Sequence, residues 1–381
     1  MKIAILTIHK ITNYGSALQT YALQSFIEKN INDSSCTILD YKFPNSYHWK
    51  ERYKKMSFLK VYRNKLHRIR ESLSYSMAVK KAKFKHFWND YYHLSQPYNS
   101  QISLSKLNSK DYDIYILGSD QVWNARTLCG DKAFLFAHLS EHEKCFSYAS
   151  SFGLTYLPEE YTSLFKKELS KFRAISVREK KAMDILSTLG YKDKSRLVCD
   201  PTLLLDANEY NFIANKSSCE INGDYILVYC LQYAFNPYPA IRNVISELQK
   251  KYKYKIVFIG KKVNGTFNNT TVLNSIGPCE FVYLFRNAKI VVTSSFHGTA
   301  FSIINRKPFV SIAPRRGDSR IGDLLTHVGL EKNLIYNDQN NIDFNEDPYT
   351  NEAKTKIATY INDSKNFLIS NINKLRNEGI Q

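Results

Sequence analysis

The chain has 381 residues, 44% apolar, 14% aromatic and 23% charged; this exceeds one ordinary domain, suffices for two buried cores and excludes a disordered chain. Only 14 Gly and 10 Pro, spread without period, exclude collagen-like and linker-dominated chains, and no apolar run approaches the roughly 20 residues of a membrane-spanning helix. The net charge is +18, and two thirds of it sits at 42–85, where fourteen Lys or Arg face only Glu51 and Glu71.

In chain order, "MKIAILTIHK" carries too short an apolar stretch for a secretory signal and reads as a buried strand at 2–7. A polar loop and a helix follow, with Leu18, Ala22, Leu23, Phe26 and Ile27 on its apolar face. The basic segment comes next. Its cations alternate with Tyr, Trp, Phe, Leu and Met, which predicts two basic amphipathic helices inserted at about 42–95. Such a segment suits anionic lipid headgroups or a polyphosphate; a solvated helix face explains the charge equally, and no nucleic-acid-binding fold accompanies it.

Strands are then expected at "YDIYIL", "CFSYAS" and "AISV", helices at about 158–170 and 179–189, and next the segment "RLVCDPTLLL". The pattern restarts with strands "YILVYCL", "KIVFIG", "IVVTSS" and "PFVSIA", and helices at about 238–251, "CEFVYLFRNA" and "GTAFSIIN". A short helix near 320–330 and a long one at about 351–376 close the chain. Alternating strands and helices predict an α/β protein of two Rossmann-like domains with parallel sheets. The first spans 1–205 and carries the basic insert; the second spans 206–381 and includes the closing helix.

In parallel sheets the chemistry gathers after the carboxyl ends of strands, and four such places stand out. "NYGS" offers Asn13, Tyr14 and Gly15, the glycine allowing close approach of backbone to a ligand, with Ser16 as a helix cap; a turn-and-cap role alone also explains it. "GSDQVWN" supplies Ser119, Asp120, Gln121, Trp123 and Asn124, donors and acceptors beside a stacking face, as a sugar site needs. Asp120 is the candidate for taking a proton from a hydroxyl. Arg178, leaving "AISV", could fork onto phosphate or carboxylate, or form an internal salt bridge with a neighbour such as Asp200. "TSSFHGTAF" places Ser294, Ser295, His297, Gly298 and Thr299 at a helix N-terminus, where anions bind readily, and "PRRGDSR" adds Arg315, Arg316 and Arg320 after the next strand.

Other site classes fail. The sequence lacks GxGxxG, P-loop, HExxH and GxSxG patterns. Nine scattered histidines, with His138 and His142 four apart, complete no ligand set, so no tightly bound metal or other cofactor is expected. Seven cysteines, odd in number and never CxxC, predict reduced thiols in the cytoplasm.

The ordered set "NYGS…ALQ", "GSDQVWN", "SYASSFG", "SVREK", "CDPTLLL", "TSSFHGTAFSIINRKPFV" and "SRIGDLL" resembles the polysaccharide pyruvyl transferase family over about 1–330, the basic insert excepted. The resemblance implies a fold similar to the GT-B glycosyltransferases, with a cleft between two domains. It also implies transfer of the enolpyruvyl unit of phosphoenolpyruvate onto two hydroxyls of a sugar, giving a pyruvate ketal and phosphate. The family's "HG" histidine falls on His297, which would bind or protonate the donor, and its arginine after the central strand falls on Arg178, which would hold the donor's anionic groups. Many relatives carry an arginine two residues before that histidine, where this sequence has Ser295; Arg316 or Arg320 would replace it. The acceptor would be a sugar on a lipid or a nucleotide, met in the cytoplasm or, through 42–85, at the inner face of the cell membrane. Two rival readings are a GT-B-like glycosyltransferase with a nucleotide-sugar donor, for which Glu280 is the candidate ribose ligand, and a non-catalytic membrane- or RNA-binding protein.

Overall fold

The structure, a computed structural model, describes residues 1–44, 74–139, 144–231, 235–315, 320–339 and 344–378. Most of the basic segment, His142 and Arg316 lie outside the described residues, so the expectations placed on them stop there.

The first sheet contains β1 (Lys2–Leu6), β2 (Ser35–Tyr41), β3 (Leu94–Tyr98), β4 (Ile114–Leu117) and β5 (Cys145–Ser147), in the order β3-β2-β1-β4-β5. Every pairing in it is parallel. Isolated parallel bridges, Phe146 to Ala174 and Ser150 to Val177, carry β5 onto the β6 (Ile175–Val177) and β7 (Ser195–Leu197) pair. The helices along this stretch of the chain are α1 (Tyr14–Asn30), α2 (Tyr75–Tyr91), α3 (Gln101–Leu104), α4 (Ala125–Leu128), α5 (Glu159–Leu169) and α6 (Lys180–Thr188). Strands such as "IYIL" are buried at every residue because helices cover both faces of a parallel sheet, which is why they read as unbroken apolar runs.

The second sheet is also wholly parallel, in the order β10-β9-β8-β11-β12-β13. Its elements are α7 (Ala207–Ala214), β8 (Tyr225–Tyr229), α8 (Ala240–Tyr252), β9 (Lys255–Ile259), β10 (Thr270–Leu273), α9 (Pro278–Asn287), β11 (Ile290–Thr293), α10 (Phe296–Ile304), β12 (Phe309–Ala313), α11 (Arg320–His327), β13 (Leu334–Tyr336) and α12 (Asn351–Glu378).

The chain divides into two compact units, one drawn from 1–73, 88–204 and 361–381, the other from 74–87 and 205–360. The sequence predicts the whole closing helix within 206–381 and the whole basic insert within 1–205; in the structure 361–381 go with the first unit and 74–87 with the second. Strands β2, β3, β10 and β13 were not anticipated. β10 has no buried residue and β3 carries Pro97, both marks of edge strands, so neither shows the apolar run that announces a central strand. "RLVCDPTLLL" is not one segment: β7 ends at Leu197, and Pro201–Leu204 forms a 3₁₀ turn held by the Asp200 side chain, which accepts from the Thr202 amide at 3.0 Å.

Candidate functional site

In each sheet the strand order reverses once, between β1 and β4 and between β8 and β11, and ligands of open α/β sheets bind at the carboxyl ends of such strands. The loops singled out in the sequence, "GSDQVWN" and "TSSFHGTAF", follow β4 and β11.

At the first reversal, Asp120 adopts a left-handed backbone (φ +67°), which aims its carboxylate back toward α1. The Ser16 hydroxyl donates to Asp120 Oδ2 at 2.5 Å. Asp120 Oδ1 accepts from Arg178 at 3.2 Å and from the Gln121 amide at 2.9 Å. Arg178 also donates to Asp200 and, at 3.3 Å, to Ser119 Oγ, and its Nε stands 3.8 Å from Glu179. Burial alone would weaken this guanidinium's hold on its proton, but Asp200, Asp120 and Glu179 outweigh burial and raise its pKa, so it is a permanent cation. Gln19, fully buried, latches the two loops together: its Oε1 accepts from the Ser119 amide at 3.2 Å and its Nε2 donates to Thr7 Oγ1 at 3.1 Å.

These contacts revise several expectations. Arg178 is an internal salt-bridge residue enclosed by three carboxylates, the alternative its spacing left open, and in this arrangement its fork is spent on them rather than turned to an external anion. Trp123 offers no stacking face: it is 1% exposed, packs on Phe152 and Phe165, and donates from Nε1 to the Phe134 carbonyl at 3.0 Å. Asn124 caps α4 and holds Gln121 through its amide at 2.7 Å. "NYGS" is no open loop, because Tyr14 and Gly15 are already buried residues of α1, and its cap is Asn13, whose side chain accepts from the Ser16 amide at 3.2 Å; Ser16 is freed by this to face Asp120.

At the second reversal, β11 runs into α10 with Ser295 as N-cap, its hydroxyl accepting from the Gly298 amide at 3.3 Å. Half-buried His297 lies in the first turn of that helix, edge-on to Phe296, where the helix dipole favours an anion. Gly298 lets α10 sit on the strand below, since a Cβ there would stand 2.2 Å from Thr293 Oγ1 and 3.2 Å from the Tyr229 ring. The hydroxyls expected to meet substrate are engaged internally: Ser294 accepts from the Leu231 amide at 2.9 Å, and Thr299 bonds Ser311 at 2.7 Å. Arg320 opens α11 and is half-buried, whereas Arg315 is paired with Asp338 at 2.6 Å. Glu280, the proposed ribose ligand of the rival reading, is spoken for: it accepts from Lys83, from Ser218 at 2.8 Å and from the Gly277 amide at 2.9 Å. Among the described residues no cluster of three or more His, Cys, Asp or Glu is arranged to hold a metal, and no helix is long and apolar enough to cross a membrane.

The sequence profile of polysaccharide pyruvyl transferases matches residues 13–316, from the cap of α1 through both loops to the basic pair after β12. The chain belongs to the polysaccharide pyruvyl transferase family. As a member of this family it belongs to an enzyme family of transferases. No curated protein matches the transferase in sequence. Among solved structures it is similar to the UDP-GlcNAc 2-epimerase of Methanocaldococcus jannaschii, with 15% identity, 94% of this chain and 100% of that one covered, and a TM-score of 0.51. It is also similar to a Listeria monocytogenes protein assigned as a UDP-N-acetylglucosamine 2-epimerase, with 11% identity, 99% and 97% covered, and a TM-score of 0.53. At such identities the likeness concerns the fold alone: an α/β architecture of parallel sheets resembling the GT-B-like nucleotide-sugar enzymes.

The sequence reading missed Ser16, Gln19, Asp200 and Glu179 as a connected group around Asp120. "ALQ" and "CDPT" carried the signal, but only the strand order brings them to one sheet reversal.

Proposed function

We propose that this transferase moves the enolpyruvyl unit of phosphoenolpyruvate onto two hydroxyls of a sugar, forming a pyruvate ketal and releasing phosphate, on a GT-B-like scaffold of two Rossmann-like domains. The observation that carries the reading is His297, placed in the first turn of α10 at the sheet reversal, inside the family match. The donor bears a carboxylate and a phosphate, and a helix N-terminus beside an imidazole suits such a dianion. His297 gives a proton to the methylene carbon, and C2 becomes electrophilic. One acceptor hydroxyl attacks C2, phosphate departs, and the second hydroxyl closes the ring. Of the two hydroxyl protons, one replaces that given to the methyl carbon and the other leaves on phosphate, so the enzyme returns to its starting state. Asp120 takes the proton of the attacking hydroxyl. Arg320 is the described arginine assigned to the donor's charge; Arg316 has the same assignment from sequence. The basic stretch 42–85 would hold the enzyme at an anionic membrane surface on the cytoplasmic side, near a lipid-linked acceptor.

The test is phosphate release and ketal formation, followed by NMR, with phosphoenolpyruvate and hexose or nucleotide-sugar acceptors. Acceptor-dependent release that is abolished in His297→Ala, with the thermal midpoint unchanged, is the expected result. Full turnover in His297→Ala overturns the role of this residue. Turnover only with a nucleotide-sugar donor, and none with phosphoenolpyruvate, overturns the reaction in favour of glycosyl transfer.

A further inference from the structure

Two loops leave the carboxyl side of the first sheet next to each other, one after β4 and one after β5; a parallel bridge between Asp120 and Ser150 joins them, and the Trp123 amide donates to the Ser151 carbonyl at 3.1 Å. They stay together because Gly153 has no side chain: a Cβ there would stand 2.3 Å from Gln121 Oε1 and 3.0 Å from Asn124 Nδ2. Beyond this contact the loop after β5 meets the chain after β4 again, at Tyr156 and Arg126. The Arg126 guanidinium lies over the Tyr156 ring, 5.1 Å from its centroid, and donates to the Tyr156 hydroxyl. One side of the ring is thus covered and its tip is held, yet Tyr156 remains 56% exposed, so solvent reaches the other side. Among the described residues the other strongly exposed aromatics, Tyr75 and Phe212, lie in helices α2 and α7 and not in a loop after a strand. Gln121 adds a donor on the same pair of loops. Its Oε1 accepts from Asn124 at 2.7 Å, so its Nε2 points away from that bond, and it meets no acceptor among the described residues.

We propose that Tyr156 is a binding residue for the acceptor: the apolar C–H face of a pyranose ring lies on the open side of the tyrosine, and Arg126 is the positioning residue that keeps the tyrosine turned to it. The inference rests on the reading above in taking the ligand to be the acceptor sugar. A pyranose carries C–H groups on its faces and hydroxyls round its rim, so it packs on an aromatic ring while leaving its rim to polar groups such as Gln121 Nε2. Held by a guanidinium on one side and at its hydroxyl, the tyrosine has little rotamer freedom left to lose when a sugar settles on it, which favours binding. The sequence points to Trp123 for this stacking face; Trp123 is in the core, and Tyr156 stands exposed on the neighbouring loop.

The experiment has two readouts on the full-length enzyme, with thermal midpoints to show that each variant is folded. In the first, saturation-transfer NMR detects contact of the protein with the methyl glycosides of glucose, galactose and mannose, without donor. In the second, KM and kcat are measured for ketal formation from phosphoenolpyruvate. The wild type should transfer saturation to the ring protons of at least one glycoside; Tyr156→Ala should lose this signal, while Tyr156→Phe and Tyr75→Ala keep it. In turnover, Tyr156→Ala should raise the acceptor KM about tenfold and leave the donor KM alone, and Arg126→Ala should raise the acceptor KM about threefold, with kcat little changed in both. No transfer to any glycoside in the wild type, or equal transfer in Tyr156→Ala, overturns the subsite. So does an acceptor KM moved by Arg126→Ala and not by Tyr156→Ala, which would mark an anion on the guanidinium instead. If the glycosides contact Tyr156 but no ketal forms from phosphoenolpyruvate, the subsite stands and the reaction falls; if ketal forms in Tyr156→Ala with the wild-type acceptor KM, the reaction stands and the subsite falls.

Discussion

Gly298 and Thr293 are so close that a Cβ on the glycine would stand 2.2 Å from the threonine hydroxyl oxygen. That oxygen cannot simply turn away: it donates to the Tyr229 carbonyl at 2.8 Å and accepts from the Ser295 amide at 3.1 Å. Gly298→Ala therefore pushes the first turn of α10 off its strand and carries His297 with it. The expected cost is about 1–3 kcal/mol of stability, read by urea unfolding, together with at least a tenfold loss of turnover. Wild-type activity in this variant would show that the position of His297 is not critical.

Arg178→Ala removes the cation and leaves Asp120, Asp200 and Glu179 facing one another in a buried space. A loss of about 3–5 kcal/mol is expected, large enough to lower soluble yield. Arg178→Lys rescues little, because an ammonium cannot serve Asp200, Asp120 and Ser119 at once. A stable Arg178→Ala protein that has merely lost donor affinity would point instead to an anion-binding arginine.

Trp123 distinguishes a core role from a sugar-stacking one. Trp123→Ala should cost about 3–5 kcal/mol, while Trp123→Phe should leave the acceptor KM unchanged. A raised acceptor KM in the phenylalanine variant, with stability intact, would place the ring in the site after all.

Glu280 provides a pH signature. Burial works against its ionised form, but the hydrogen bonds from Lys83 and Ser218 overcome it and hold the carboxyl below the usual glutamate range. A depressed folded-state pKa means that its contribution is complete above the unfolded value, about 4.3, and is lost as pH falls through the folded one. The wild-type midpoint should therefore drop more steeply than that of Glu280→Gln as pH falls below about 4.3. Parallel curves for the two proteins would show that the contact contributes nothing.

Most central strands and long helices were legible because strands such as "IYIL" and "YILVY", covered on both faces, need apolar side chains at every position. The edge strands were not, since Thr270–Leu273 meets solvent and leaves no such mark. At the site, "GSD" and "FHG" could be read as loops after strands, yet Trp123 misled, because an indole beside amides looks the same in sequence whether it faces a ligand or the core. Arg178 was ambiguous for a related reason. Its partner Asp200 is near in sequence, but Asp120, itself held by Ser16, reaches it only through the order of the strands.

The two units are not consecutive along the chain. Helix α12 begins with one and ends with the other, and midway along it the Ser364 hydroxyl oxygen accepts from the Cys199 amide at 2.8 Å. During synthesis the first unit therefore stays unfinished while everything up to 360 emerges from the ribosome, and 361–381 reach it only after the whole second unit has been made. Severing the gene near codon 205 would yield no pair of autonomous halves, and a premature stop that spares the second sheet would strike the stability of the first.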